Sequence, residues 1–168
     1  MSLTSSLRVA LTAVQYSALD LGTSRFPVTY DKTTNMPSGT AAGQADLLWT
    51  DTRTLAASAS ESLDLSGTLT GAFGATLTFA RVKALLIRAA DANVNDVVVG
   101  GVASNGFASW VGDPTDKVKV KPGGLLLLTA PGATAYPVTA ATGDLLQVAN
   151  GGAGTSVTYD VIVIGASA

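Results

Sequence analysis

The chain has 168 residues, a net charge of −2 and only 13% charged residues, with no histidine, no cysteine, one glutamate (Glu61) and 18 glycines. The missing types are the usual general base near neutral pH and its most nucleophilic side chain, which excludes Ser-His-Asp and Cys-His triads and the common His/Cys zinc sites. What remains suits turns and pleated strands, and points to a structural or binding module rather than an enzyme.

An apolar fraction of 47% and a mean hydropathy of +0.37 exclude general disorder. The length fits one domain, or one domain with an extended arm, that buries about 70% of its unfolded surface without a disulfide or metal staple. With so few charges the surface is poorly protected against association, so copies of the chain or a partner are expected to cover part of it. Met1 to Leu21 carries Arg8 and a short apolar stretch, Val9 to Val14, interrupted by Thr12. It lacks the continuous apolar core of a signal peptide, and runs such as Leu125 to Leu128 are far shorter than a membrane span, so a soluble protein with no membrane partner is expected.

In chain order, Arg8 to Val14 predicts a first strand and Phe26 to Tyr30 a weaker second one. Asp31 to Ala45 is polar and contains Pro37 and two glycines, which predicts a long loop or arm. Residues 1–45 therefore form an N-terminal strand and polar arm, and residues 46–168 a core domain. Leu47 to Leu55 resumes extended structure, and Ser62 to Leu65 follows a Ser/Ala connector. Thr76 to Ala90 fits either a helix face or a strand face; its β-branched and aromatic residues and its missing cap favour one long strand. Asp96 to Val99 comes next. Lys117 to Lys121 alternates strictly, with Val118 and Val120 inward. Pro122-Gly123-Gly124 is a turn, and Leu125 to Thr129 returns as a buried strand. Tyr136 to Val138, Asp144 to Ala149 and Val157 to Ile164 complete about ten strands. The continuous apolar runs Leu125 to Leu128 and Val161 to Ile164 are expected to be central strands covered on both faces. The economical architecture is all-β: a two-sheet antiparallel sandwich of jelly-roll type with an extended N-terminal segment.

Candidate sites are incomplete when tested residue by residue. Tyr159 to Ala168 imitates the opening strand of a dinucleotide fold, but Ser167 replaces a required glycine and no helix follows in this sequence. Gly151 to Ser156 lacks the lysine of a phosphate loop and leads into a strand. Asp91 to Asp96 places four oxygen-bearing side chains in six residues. An EF-hand, however, needs glycine and glutamate where Asp96 and Val102 stand, and Asp and Asn also simply make turns. Asp113 and Asp116 bracket Pro114 in another turn. Lys117, Lys119 and Lys121 make the densest basic patch, too small for a nucleic-acid footprint. Phe107 to Trp110 either presents a ring for stacking or anchors one end of the core. No catalytic, cofactor or metal residue is assigned.

The phrases Ala45 to Trp49, Thr52 to Ala56, Leu63 to Gly67, Phe79 to Lys83 and Pro122 to Gly124 resemble those of small virion proteins of tailed bacteriophages. More specifically, residues 45–168 are similar to head decoration, or cement, proteins, which are often built on a jelly roll. The resemblance carries over no catalytic residue. It implies a protein made in the host cytoplasm and resident on the capsid surface of the virion. There it would bind the lattice of the major capsid protein, often as a homo-oligomer, with no direct contact to nucleic acid. The alternative expectation is a tail or fibre component, or a carbohydrate-binding, lectin-like module. The two separate on Trp49 and Trp110: a sugar binder exposes them on a concave face, and a cement protein buries them.

Overall fold

A computed structural model describes residues 2–168 and, among them, shows strands, turns and no helix. The chain opens with two 15-residue strands, β1 (Ser5–Leu19) and β2 (Gly22–Met36), joined by Asp20 and Leu21. They pair in register along their full length, from Ser5 opposite Met36 to Leu19 opposite Gly22. At ~3.3 Å per residue the hairpin is about 50 Å long. Residues 10–33 are exposed throughout, so most of this ribbon stands clear of the rest of the protein.

The remainder is a sandwich-like body of antiparallel sheets. β3 (Leu47–Leu55), β7 (Arg81–Ala89), β10 (Leu125–Thr129) and β13 (Val157–Ala166) form one sheet in the order β10-β7-β13-β3, with β11 (Tyr136–Pro137) also pairing β7. β4 (Ser60–Asp64), β8 (Val97–Gly100), β9 (Lys117–Val120) and β12 (Leu145–Asn150) form the second, in the order β4-β12-β8-β9. A small ribbon of β5 (Ser66–Thr70) and β6 (Thr76–Thr78) lies at one end. The inner faces meet in a single apolar core that includes Leu85, Ile87, Val161 and Val163 from one sheet and Leu63, Val97, Val99 and Val148 from the other. Successive residues of a strand point to opposite faces, so each sheet contributes alternate positions to this core.

Several expectations change. Asp31–Met36 is strand, not loop, because it is hydrogen-bonded to Ser5–Ala10 across the hairpin; the connecting loop begins at Pro37. That loop is tied down. Gly43 N–H donates to Pro131 O (2.7 Å) and Lys83 Nζ to Ala41 O (2.5 Å), while Met36 and Ala45 are buried. Thr76–Ala90 is two strands, β6 and β7, rather than one. Between them the chain leaves the small ribbon for the large sheet, with Phe79 N–H bonded to Leu65 O and Ala80 N–H to Ala166 O.

Leu125–Leu128 is also not a central strand: β10 is an edge strand, and Leu125 is exposed. β13 is central, but within the Val161–Ile164 run only Val161 and Val163 are fully buried; Ile162 and Ile164 face outward and are partly covered.

The outer face of the larger sheet is graded. Its first cross-strand row is Thr129, Ala84, Ile164 and Leu48. The hairpin base covers this row, with Leu3, Leu7 and Met36 packed around Ala84 and Ile164 in a second, smaller apolar cluster. The next row, Leu127, Leu86, Ile162 and Thr50, is left largely uncapped. The third, Leu125, Arg88, Asp160 and Thr52, is polar at its centre, where Thr52 Oγ1 donates to Asp160 Oδ1 at 2.7 Å.

Candidate functional site

The residues singled out as possible ligands are engaged within the protein. Asn93 both donates to Thr158 O and accepts from Thr158 N–H, each at 2.8 Å, so its side chain caps β13 as a neighbouring strand would. Asn95 Nδ2 donates to Asn150 Oδ1 (3.0 Å) and Thr155 O (3.1 Å). Asp91 accepts from Arg88 (2.5 Å) and Asp96 from Lys121 (2.9 Å). The oxygens of Asp91, Asn93 and Asp96 thus go to separate partners rather than converge on one point. Asp113 accepts from the amide (2.8 Å) and hydroxyl (2.6 Å) of Thr115, which hold its carboxyl below the usual carboxylate range, and Asp116 accepts from Asp113 N–H. Gly151–Ser156 turns around the buried Asn150, whose Nδ2 donates to Thr155 O at 2.8 Å. Lys117 and Lys119 are exposed on the outward side of β9.

Sequence reasoning attached no role to Glu61, yet it ties the two sheets together. Tyr159, on the inner face of β13, is fully buried and donates its hydroxyl to Glu61 Oε1 (2.9 Å) on β4. Arg53, opposite Tyr159 on β3, donates through Nε to Glu61 Oε2 (2.7 Å) and bridges to Asp51 (2.9 Å). The Glu61 contact raises the Arg53 pKa above its ordinary value. Burial first, and the Glu61 hydrogen bond second, push the Tyr159 phenol well above its normal range. The phenol therefore resists ionisation in the folded state, and its contribution to stability is complete below about pH 10 and lost as pH rises beyond it. Tyr159→Phe keeps the ring but removes Glu61's buried donor, and should cost about 1–3 kcal/mol. It should also flatten the alkaline limb of the stability profile. Chemical denaturation of the two proteins across a pH series measures both effects.

Lys83 is a second polar feature inside the fold. A register shift at Ile164/Gly165 makes it the extra residue opposite β13, and its side chain is buried against the loop carbonyls of Thr40 and Ala41. Burial lowers its pKa. The ammonium fastens the loop that anchors the hairpin base.

Trp49 is 7% exposed within the core, and Trp110 packs against it with Nε1 donating to Phe107 O at 2.9 Å. Phe107 is buried too. Trp49 forms part of a cleft of about 470 Å³ between the start of β3 and the β5–β6 ribbon, where Phe73 is exposed at the rim.

The largest concentration of uncovered apolar side chains lies on the hairpin arm. Because paired residues share a face, the face of Leu7 and Met36 continues outward as Val9/Lys32, Leu11/Tyr30, Ala13/Val28, Gln15/Phe26, Ser17/Ser24 and Leu19/Gly22. Leu11, Leu19, Phe26 and Tyr30 are each more than half exposed on it, and Leu21 at the tip is fully exposed. The opposite face is mixed: it carries Val14 and Tyr16 but also the Arg8–Asp31 ion pair, Arg25 and several threonines. At the arm's root, Leu7, Leu86, Leu127 and Ile162 line an apolar groove of about 220 Å³. The arm and this groove make one apolar surface that runs from the sheet into solvent. Compared with known proteins, the chain matches no family model, no curated protein and no solved structure.

Proposed function

We propose that the protein is a structural component of a bacteriophage virion, a decoration protein that binds the outer capsid lattice and stabilises it through protein–protein contact. The observation that supports this most is the arm. A two-stranded ribbon is marginal in water by itself, and one that holds a row of leucines and aromatics clear of its own core is suited to burial against other protein. Such a component acts by linkage: binding only the assembled shell stabilises it by mass action. Of the two residues that separate the alternatives, Trp49 is buried, which favours a cement protein over a sugar-stacking module, while Trp110 is half-buried against the core with its Nε1 bonded to Phe107 O. Within this reading the sandwich-like body is a jelly roll, residues 1–45 are the reaching segment, and the chain acts as a non-enzymatic homo-oligomer on the capsid surface.

The test is cosedimentation with assembled shells, expanded and unexpanded. A shortened protein in which an Asn-Gly turn joins Ala10 to its partner Asp31 should melt within a few degrees of the full chain, since the excised residues are exposed throughout and pair only with one another. The full chain should pellet with shells and the shortened one should bind at least about tenfold less, a loss of ~1.4 kcal/mol. Full-length protein that stays in the supernatant with both shell forms would sink the proposal.

A further inference from the structure

We infer that the arm's apolar face is the interface for a second copy of this chain, with two arms packed face to face and antiparallel about a two-fold axis. Such an axis brings one patch against itself, so the patch must be self-complementary under reversal. The arm meets that condition in a particular register. With the axis midway between the Ala13/Val28 and Gln15/Phe26 pairs, these two pairs face each other across the interface. Leu11/Tyr30 then meets Ser17/Ser24, and Val9/Lys32 meets Leu19/Gly22. Leu11 and Tyr30 thus oppose serines and Lys32 opposes Gly22, which lets the two ribbons interdigitate at these positions, while Val9 meets Leu19 in apolar contact.

Charge fits the same register. Lys32 is the only charged residue on this face from Val9 to Leu19, and it comes level with the last pair before the partner's tip, whose two-residue turn contains Asp20. Displacing the register by two residues moves Lys32 about 7 Å along the strand from that carboxylate. Leu21, in the tip turn, falls between the Leu7 and Val9 levels of the other copy, beside the apolar groove that Leu7 lines at the arm's root. The most exposed leucine of the chain thus arrives where an apolar recess is open.

Association by faces is also favoured over pairing by edges on the β2 side. Pro27 stands within the ladder opposite Val14, so its nitrogen faces outward and removes a donor from that edge. Overlap from the Arg8 level to the tip gives a footprint of about 40 Å by 10 Å on each copy. That is about 800 Å² for the pair, and side-chain corrugation and the seated tips add the remainder of the ~1,000 Å² that a specific interface needs.

This inference is independent of the shell-binding proposal, because its test needs no shells. Light scattering coupled to size exclusion, over a concentration series, should give twice the 16.8 kDa chain mass. Val28→Asp, which places two carboxylates at the centre of the interface, should raise the dissociation constant by at least about 100-fold. Its melting temperature in the monomeric state should match the wild type, because the site touches nothing in the body. Thr12→Asp, on the opposite face, should remain dimeric. Asp20→Lys and Lys32→Asp should each weaken the dimer, and the double exchange should restore it to within about threefold of wild type, which separates this register from non-specific apolar contact. A wild-type monomer at every concentration, a higher oligomer, a dimer indifferent to Val28→Asp, or a charge exchange without rescue would each overturn the inference. A monomer that still pellets with shells would overturn the dimer alone, whereas a dimer that never pellets would overturn only the decoration role.

Discussion

Leu85→Ala and Ile87→Ala should each destabilise the protein by about 3–5 kcal/mol, the cost of losing buried methylenes together with the cavity they leave. Both side chains are fully buried at the centre of the inter-sheet core, where β7 lies between β10 and β13. β7 and β13 are each held by hydrogen bonds on both sides and cannot close in on the vacancy. At this chain length a loss of that size lowers the melting temperature by about 6–20 °C. Leu127→Ala, on the edge strand β10 and partly exposed toward the open groove, should cost about 1–2 kcal/mol, because the lost area was never fully removed from water. The decisive comparison is the gap between these variants in denaturant midpoints. Equal losses would mean that the outer row is as fully covered as the core.

Gly165→Ala should be the most damaging conservative change, at about 3 kcal/mol or more for a single added methyl group. A Cβ at this position would lie 2.3 Å from Arg81 O and 2.7 Å from Phe79 Cδ1. The first is backbone within a sheet and the second belongs to a fully buried ring, so neither yields cheaply. Gly165 also sits where the register shift against β7 occurs, so relief by backbone movement would disturb the Lys83 bulge and the loop it anchors. Gly22→Ala is the matched control: no atom lies within 4 Å of its added Cβ, and its φ is not positive. Thermal melts should place Gly22→Ala near wild type and Gly165→Ala well below it. A small effect at Gly165 would show that β13 can slide at this point.

The strands that were legible in the sequence are those whose signal is local. β9 is an alternating Lys-Val-Lys-Val segment ended by Pro122-Gly123-Gly124, and the structure places Val120 in the core and both lysines outside. Asp31–Met36 misled because nothing local marks it as strand. All its residues but Met36 are polar, and it is extended because β1 runs alongside it for the whole length of the arm. The Leu125–Leu128 run misled for a different reason. A continuous apolar run ordinarily means cover on both faces. Here Leu126 and Leu128 pack on the core, while Leu127 belongs to the uncapped row with Leu86 and Ile162. The low charge content correctly implied an apolar surface, but only the cross-strand register gathers Leu11, Val28 and Tyr30 onto one face. The Tyr159–Glu61–Arg53 tie joins residues 98 positions apart and has no motif to announce it.

The pairing of β3 with β13 has a consequence for how the molecule is made. β3 is an edge strand whose one neighbour in the sheet is more than 100 residues later in the chain, as Leu55 opposite Val157 shows. During synthesis β3 and β7 must wait, unpaired along the edges that β13 will fill, until residues 157–166 have emerged from the ribosome. The arm has no such delay, since its strands are joined by two residues and can zip on the ~1–10 μs timescale of hairpins. The nascent chain can therefore form the ribbon early, but a lone ribbon is only marginally stable until the body that anchors its base has closed. Closure of the sheet is the late, topologically slow event, and the interval before it is when the chain most needs protection from aggregation.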